Sequence, residues 1–331
     1  MNISFLDILC DPYTLEPLSI EITERDADNV ITGALLSRTN RFPIIRGIPR
    51  FNLKERSEKY TKSFGYQWNK WPYVQFEGEN VNKPMEGHTS QMFQRITEIS
   101  GKGVNLVDQY ICDIGCGSGR FIDVISKSAN FLIGIDSSES VEAAGQKFIT
   151  NARILICQAD VLNLPLKGSV IDQVYSIGVL HHTEDPKKGV KEISRILKPN
   201  GSAAISVYGK GGYYDSEIVG LYRKFFAKTW PIFGHRLPLF YSRCIVTITR
   251  PLERFKRVKM LLKPLLMYFP NIQLADFNWS VLDTFDSITP SYQRGISYFE
   301  LYSYMSEYGL LSIKPVNWGG TSLKGMRPPI E

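Results

Sequence analysis

The sequence predicts an α/β fold in which a mostly parallel sheet carries helices on both faces. Three observations predict it. Residues 104–209 alternate short apolar runs with helical patterns, which is typical of a parallel sheet built from βαβ units. Residues 1–52 hold short β-like runs between turn residues, and residues 210–297 form a basic, aromatic-rich helical cap insert. Residues 53–103 predict a helical lid or linker, and residues 298–331 a closing helix and strands.

The order of elements in the central segment follows from its apolar periodicity. Strands are expected at Gln109–Ile114, Phe131–Ile135, Ala152–Cys157, Val174–Val179 and Ser202–Val207. Helices are expected at Arg120–Ser128, Ser140–Thr150 and Pro186–Leu197, with a turn at Pro199–Gly201. The closing part predicts a helix at Tyr298–Tyr308 and a hairpin of Leu311–Val316 with Ser322–Met326.

Composition is ordinary for a globular protein, with 43% hydrophobic and 22% charged residues among 331. The five cysteines form no CxxC pair, so we expect a reduced, cytoplasmic setting without a disulfide framework. Neither a signal peptide nor a transmembrane helix is expected from the distribution of apolar runs. The net charge of +6 is uneven, because residues 210–275 carry +9 and the remainder −3. This asymmetry concerns binding partners, not the fold.

The strongest chemical motif is a glycine turn, ICDIGCGSG, which spans Ile111–Gly119. Glycines between a strand and a helix allow positive φ and a close approach of the backbone to a ligand. The N-terminus of the following helix favours an anionic group. A dinucleotide could bind such a turn, but the GxGxG spacing and Asp113 favour S-adenosylmethionine. Asp136 follows Gly117 by nineteen residues and can accept both ribose hydroxyls; the alternative is a helix-capping role.

The runs DIGCGSGRF, GID, QADVLNLPL, VYSIGVLHHTEDP and ISRILKPNGSAAISVY occur in this order. Together they resemble the class I, S-adenosylmethionine-dependent methyltransferases of the small-molecule type. The resemblance implies a Rossmann-like, seven-stranded sheet, S-adenosylmethionine as cofactor, S-adenosylhomocysteine as product, and no metal. It implies that Asp160 accepts from the adenine amino group and that Ser176–Val179 pass under the sulfonium. The implied cofactor contacts are Asp113, Gly115, Cys116, Gly117, Gly119, Asp136, Ser137, Asp160, Val161, Ser176, Ile177 and Gly178.

His181 and His182 are candidate catalytic residues, since either imidazole could act as general base toward an acceptor hydroxyl. The alternative is that one of them packs at the strand end, because methyl transfer depends chiefly on positioning. Metal-assisted quinone O-methyltransferases carry carboxylates in an EVLEH-like run here. This chain has Gly178 and His181 at the corresponding positions, which argues against a divalent metal.

The N-terminal runs LDILCDPYTLEPL and LLSRTNRFPIIRGIPRF resemble a short zinc-ribbon family that also partners tRNA and protein methyltransferases. In that resemblance the cysteine ligands fall on Asp11, Thr14 and Ser37, which cannot supply thiolates. We therefore expect a ribbon that has lost its metal, with a structural or docking role. An unusual metal site that uses Cys10 is the alternative. The side chains expected to hold the ribbon by packing are Ile44, Ile45, Ile48 and Phe51.

Two further regions predict contacts with the acceptor. Tyr66, Gln67 and Trp68 are candidates for an aromatic lid over cofactor or acceptor, or else anchor a helix before the core. The stretch 281–292 resembles part of bacterial methyltransferases of the surface-polysaccharide type. That resemblance makes Asp283, Asp286 and Tyr292 candidates for the acceptor pocket, with turn capping as an equal alternative.

The cap insert carries an apolar stripe at helical spacing, with basic residues elsewhere around the helix. Its members are Leu252, Phe255, Val258, Leu262, Leu265 and Phe269. The stripe either packs on the core, leaving a solvated basic face, or lies on an anionic membrane or polyanionic acceptor. Pro264 should kink or end this helix.

The leading functional hypothesis is methyl transfer to a small or lipid-linked acceptor, such as a sugar hydroxyl in surface-glycan biosynthesis, with peripheral contact to the inner membrane face. Quinone or other C-methylation shares the same core. Nucleic-acid methylation would suit the basic segment, but SIGV stands where base N-methyltransferases carry an NPPY- or DPPY-like motif. A non-catalytic, cofactor-binding scaffold is the fourth alternative.

Overall fold

The computed structural model describes residues 1–52, 58–99 and 106–329. The segment boundaries expected at 52/53 and 103/104 fall at residues 53–57 and 100–105, which lie outside the described residues, as do residues 330–331. Among the described helices, none combines the length and apolar character needed to cross a bilayer.

Two sheets organise the chain. The N-terminal sheet is antiparallel, in the order β1 (Ser19–Asp26), β2 (Asn29–Leu36), β3 (Arg41–Ile45) and β4 (Ile48–Pro49). The central strands are β5 (Leu106–Ile114), β6 (Ala129–Asp136), β7 (Ile154–Gln158), β8 (Ile171–Ile177), β9 (Leu197–Val207), β10 (Leu311–Pro315) and β11 (Thr321–Met326). They form a seven-stranded sheet in the order β10-β11-β9-β8-β5-β6-β7. Strands β5 to β9 pair in parallel and β11 is antiparallel to its neighbours, which confirms the mostly parallel sheet.

Helices cover both faces of the central sheet, as expected. In chain order they are α1 (Glu58–Lys70), α2 (His88–Thr97), α3 (Arg120–Ile125), α4 (Val141–Phe148), α5 (Pro186–Ile196), α6 (Glu217–Phe233), α7 (Arg236–Thr249), α8 (Lys256–Leu266), α9 (Phe277–Ile288) and α10 (Tyr298–Glu307). Alternate residues of a strand point to opposite faces, so Cys112 and Ile114 enter one apolar cluster and Ile111 enters the other. Helices α5 and α10 pack in the first cluster, and α2, α3 and α4 in the second.

The ends of several elements differ from the expectation. The turn expected at Pro199–Gly201 lies inside β9, where Asn200 has a φ of +63°. There the pairing of β8 with β9 shifts from Ile171–Leu197 to Gln173–Ser202. The helix expected to reach Ser128 ends at Ile125. The closing hairpin is present as β10 and β11 at the sheet edge.

The N-terminal sheet is held by a buried carboxylate at the position expected for a lost ligand. Asp11 is fully buried; its Oδ2 accepts from the Ser37 hydroxyl at 2.6 Å and from the Asn40 amide at 2.8 Å. Its Oδ1 accepts from the N–H groups of Tyr13 and Thr14 at 2.8 and 3.3 Å. Of the three positions aligned with cysteine ligands, Asp11 and Ser37 are joined through their side chains, and Thr14 contacts Asp11 only through its backbone N–H. The assignment to the zinc-ribbon family itself stays a prediction.

Cys10, next to Asp11 in the sequence, is buried. Its backbone N–H donates to the carbonyl of Pro165, and burial raises the pKa of its thiol to about 11. Ile44, Ile48 and Phe51 are buried as expected. Ile45 is 46% exposed, so its expected packing role is wrong; it alternates with Ile44 along β3 and points to the opposite face.

Replacing Asp11 with Ala should lower the free energy of unfolding at pH 7 by about 1–3 kcal/mol, because it leaves several partly buried donors without their protein acceptor. Burial alone would raise the pKa of Asp11, but the hydrogen bonds from Ser37, Asn40 and the backbone lower it below its ordinary 3.8. The stabilisation is therefore present above pH 3.8 and is lost as the pH falls through the folded pKa. Urea unfolding at several pH values measures this. Asp7→Ala, at an exposed site, is the control, and equal losses for the two variants would contradict the role of Asp11.

Candidate functional site

A cavity of about 1010 Å³ opens where the parallel strands β5, β6, β7 and β8 end. This is the edge of an open α/β sheet at which ligands bind, because the loops after the strands diverge there. Helix α1 contributes Gln67 and Trp68 to its wall, and α9 contributes Asp283 and Asp286. The cavity therefore joins the central sheet, the lid and the cap.

The glycine turn adopts backbone conformations that other residues rarely take. Gly115, Gly117 and Gly119 have φ values of +78°, +55° and +88°. A Cβ on Gly115 would lie 2.1 Å from the side chain of Val179, so no larger residue fits. Gly115 and Cys116 donate their N–H groups to the carbonyl of Ile135 at the end of β6. The turn is thus held open toward the cavity.

Asp136 connects the end of β6 to the glycine turn. Its Oδ2 accepts from the N–H of Gly117 at 2.9 Å. Its Oδ1 accepts from the N–H and the hydroxyl of Ser138 at 2.8 and 2.7 Å. The bonds to Ser138 close a local turn, whereas the N-cap of α4 is Ser140 and not Asp136; the carboxylate also lines the cavity beside Ser137.

Asp160 and Val161 line the cavity after β7. The Asp160 Oδ1 accepts from the N–H of Leu162 at 2.9 Å, so the carboxylate shapes its own turn as well as the cavity wall. Cys116, Ile177 and Gly178 also line the wall. A Cβ on Gly178 would meet nothing within 4 Å, which places this residue at open space.

Other implied cofactor contacts lie behind the wall. Asp113 is 2% exposed and Ser176 is fully buried, and neither lines the cavity. Burial, and secondarily the charge of Asp136, raise the pKa of Asp113 well above its ordinary value. Gly119 is the N-cap of α3 and lies against the ring of Phe148. These positions depart from the expectation of direct contact: the strand register turns Asp113 and Ser176 into the core, and packing against Phe148 encloses Gly119.

The two candidate catalytic histidines occupy different places. His182 lines the cavity, and its Nδ1 lies 3.0 Å from the carbonyl oxygen of Tyr292. Because a carbonyl oxygen can only accept, Nδ1 carries the hydrogen. Burial lowers the pKa of His182 to about 4, so the ring is neutral at pH 7. Its Nε2 is therefore a hydrogen-bond acceptor. His181 is fully buried, and its Nδ1 accepts a hydrogen bond from the N–H of Tyr208. This position agrees with the alternative in which one of the two histidines packs at the strand end.

Beside His182 lies an acidic cluster, formed by Asp283 and Asp286 of α9 with Tyr208, Tyr214 and Gln67. The Tyr208 hydroxyl donates to Asp286 at 3.1 Å, and the rings of Tyr208 and Tyr214 stack with centroids 3.9 Å apart. Burial, and then the charge of Asp286, raise the pKa of Asp283 to about 7. Asp283 lies within α9, whose N-cap is Asp276, so the turn-capping alternative for Asp283 is wrong.

Arg120, which is not among the site residues predicted from the sequence, faces the acidic cluster as the first residue of α3. Burial lowers the pKa of its guanidinium, while the charges of Asp283 and other groups raise it. The side chain hydrogen-bonds to Gln75 and lies 5.8 Å from the ring of Trp68. The sequence offered two signals for these cavity residues. Arg120 directly follows the glycine turn, and Tyr208 directly follows β9.

The expected lid forms only in part. The Trp68 indole covers the glycine turn: a Cβ added to Gly117 would lie 3.1 Å from the indole Nε1. Tyr66 instead stacks on His235 of the cap at 4.0 Å, and Tyr292 contributes its carbonyl to His182. Neither tyrosine lines the cavity, which corrects their expected contacts with the acceptor.

Comparison with known proteins bears on the same segment. Residues 112–205 match the family model described as Methyltransferase domain. The Probable tRNA methyltransferase 9B of Bos taurus is 34% identical over 116 residues, covering 33% of this chain and 24% of that protein. The tRNA (carboxymethyluridine(34)-5-O)-methyltransferase of Arabidopsis thaliana is 35% identical over 101 residues, with coverage of 30% and 24%. A solved Methanococcus maripaludis protein, assigned as an S-adenosylmethionine-dependent methyltransferase, aligns over 85% of this chain and 98% of its own at 18% identity, with a TM-score of 0.43.

The chain spans about a quarter of the length of the two curated relatives. The matched residues 112–205 contain the glycine turn, Asp136 and Asp160. Within the ranges that the structure describes, no group of three or more His, Cys, Asp or Glu side chains could hold a metal ion. Residues 112–205 therefore match a methyltransferase domain, and they lie in a central sheet with the Rossmann-like, mostly parallel arrangement.

Proposed function

We propose that the protein transfers a methyl group from S-adenosylmethionine to a hydroxyl oxygen of a small or lipid-linked acceptor. One observation carries this proposal: a single cavity is lined by the glycine turn with Asp136 and also by the acidic cluster with Asp283. Donor and acceptor can therefore meet in one enclosed space, which is the main requirement of a positioned displacement.

The donor side of the cavity is assigned by the groups that face it. Asp136 accepts from the ribose hydroxyls, and Asp160 accepts from the adenine amino group. Gly115 and Gly117 allow the backbone to approach the methionine part of the donor. Trp68 covers this region and excludes water. When bound, the donor supplies an electrophilic methyl group on its sulfonium.

The acceptor side supplies a route for a proton. A hydroxyl that becomes methylated must lose its hydrogen, and the Asp283 carboxylate can take it as the new C–O bond forms and the C–S bond breaks. A base is most effective when its pKa lies near the working pH, and the pKa of Asp283 is raised to about 7. Asp286, held by Tyr208, and the Nε2 of His182 can accept hydrogen bonds from further hydroxyls.

The chemistry of this side favours a neutral, hydroxylated acceptor. The carboxyl groups of Asp283 and Asp286 can accept hydrogen bonds from hydroxyls, and the guanidinium of Arg120 beside them balances their charge. The ring of Tyr214, which stacks on Tyr208 and lines the cavity, adds an aromatic surface of the kind that packs against a sugar face. A sugar hydroxyl, free or lipid-linked, satisfies both features.

A nucleic-acid acceptor is the second candidate, because the curated relatives include proteins named as tRNA methyltransferases. In this alternative the cations of residues 210–275 would contact phosphates. The target base or its substituent would enter the cavity next to Asp283.

Calorimetric titration tests the donor site. S-adenosylmethionine and S-adenosylhomocysteine should bind with affinities of about the micromolar range, and absence of heat at high ligand concentration would overturn the proposal. Transfer of a labelled methyl group to sugar or lipid-linked sugar acceptors, compared with transfer to bulk tRNA, tests the acceptor. Labelling of tRNA alone would replace the first candidate by the second.

A further inference from the structure

The cap presents an unusual number of large apolar side chains to solvent. Single exposed apolar residues are ordinary, but a contiguous set marks a binding surface. The most exposed examples are Leu221 (63%), Ile232 (77%), Phe240 (67%), Ile248 (68%), Met260 (68%) and Leu261 (77%). They lie on α6, α7 and α8.

Helix α8 shows the pattern most clearly. Val258, Leu261, Leu262 and Leu265 recur at positions i, i+3, i+4 and i+7, which places them on one face. None of residues 257–266 is buried. The interpretation in which this stripe packs on the core is therefore wrong, because Leu265 is 57% exposed. The apolar face of α8 is left uncovered within the described chain.

Cations flank this apolar face. Arg257, Lys259 and Lys263 lie on α8, and residues 250–263 hold six basic residues against the single acid Glu253. Glu253 pairs with Lys259 at 2.6 Å, which leaves the segment strongly positive. A helix with an apolar face between basic flanks matches the interface of an anionic bilayer, where acyl chains lie beneath phosphate groups.

We propose that α8 lies on the surface of a membrane containing anionic lipid, with Leu261 and Leu265 at the boundary of the acyl chains and Lys263 among the phosphates. Charge complementarity selects this partner. A second copy would oppose one basic segment with another, and the phosphates of a nucleic acid would leave the leucines without an apolar environment. The proposal does not depend on methyl transfer, so the two can fail separately.

Co-sedimentation of the full chain with vesicles tests the proposal. The chain should bind vesicles of mixed phosphatidylcholine and phosphatidylglycerol far better than phosphatidylcholine alone, and added salt should weaken the binding. The double variant Leu261→Glu, Leu265→Glu should reduce partitioning by at least about tenfold. Lys263→Gln should reduce it by about fivefold.

Matched controls lie outside the cap, on α10 and α5. Phe299 of α10 is 81% exposed, so Phe299→Glu changes an equally accessible apolar residue outside the cap. Lys191→Gln changes an exposed lysine of α5. Both controls should leave partitioning unchanged, and circular dichroism should show that every variant is folded. The proposal is overturned if the α8 variants partition like the controls. It is also overturned if they disrupt only RNA binding or self-association, measured by fluorescence titration with bulk tRNA and by sedimentation velocity.

Discussion

Replacing Asp283 with Asn should reduce kcat by about 10²–10⁴-fold, because the amide cannot take the acceptor proton. Affinity for S-adenosylmethionine should change little, since Asp136 and Asp160 line a different part of the cavity. The rate of the unmodified protein should rise with pH through about 7, where the Asp283 carboxyl loses its proton. The variant should lack this rise. Rates measured across pH, with donor binding measured in parallel, give both readouts.

The variant Asp286→Asn tests whether the rise in rate reports the titration of Asp283. Asp286 repels a second negative charge on Asp283, so its removal should lower the pKa of Asp283 and move the rising limb to lower pH. A purely structural role for Asp283 predicts loss of activity at every pH with no displaced limb. An unchanged rate in Asp283→Asn would instead place the base elsewhere, with His182 next in position.

Replacing Asp136 with Ala should weaken S-adenosylmethionine binding by about 1–3 kcal/mol, through loss of charged hydrogen bonds. The structure adds a second reason, because the same carboxylate holds the N–H of Gly117. Ser138→Ala removes only the hydroxyl bond to Asp136 and keeps the backbone N–H bond and the carboxylate, so it should cost much less. Calorimetry on both variants, with the exposed Asp108→Ala as a control, measures the effect. Unchanged affinity in Asp136→Ala would show that the ribose site lies elsewhere.

The central sheet and several residues that line the cavity at its strand ends could be predicted because their signals are local. Apolar alternation, a glycine turn and an acid at a strand end sit within short stretches of sequence. It was harder to predict whether a given side chain points into the cavity or into the core. His181 and His182 occupy a single turn of 3-10 helix, in which consecutive side chains point about a third of a turn apart. One therefore enters the cavity while its neighbour is buried, and the sequence does not distinguish them.

The acceptor side could not be predicted in the same way, since it joins distant parts of the chain. Tyr208 and Asp286 meet across 78 positions, and Arg120 reaches the same cluster from the glycine turn. Such contacts depend on how the cap packs over the sheet. The prediction that the apolar stripe of α8 packs on the core failed for a related reason. Helical periodicity shows that a face is apolar, but it does not show what covers that face.

The N-terminal sheet shares its apolar interior with the central domain. Phe5, Leu9, Phe42 and Phe51 lie in the same cluster as Ile133 of β6, and the Phe51 N–H and the Arg50 side chain also bond to elements of the central domain. We therefore expect the two parts to unfold in a single transition. Because both parts belong to one chain, their association is intramolecular, so it does not vary with the concentration of the protein.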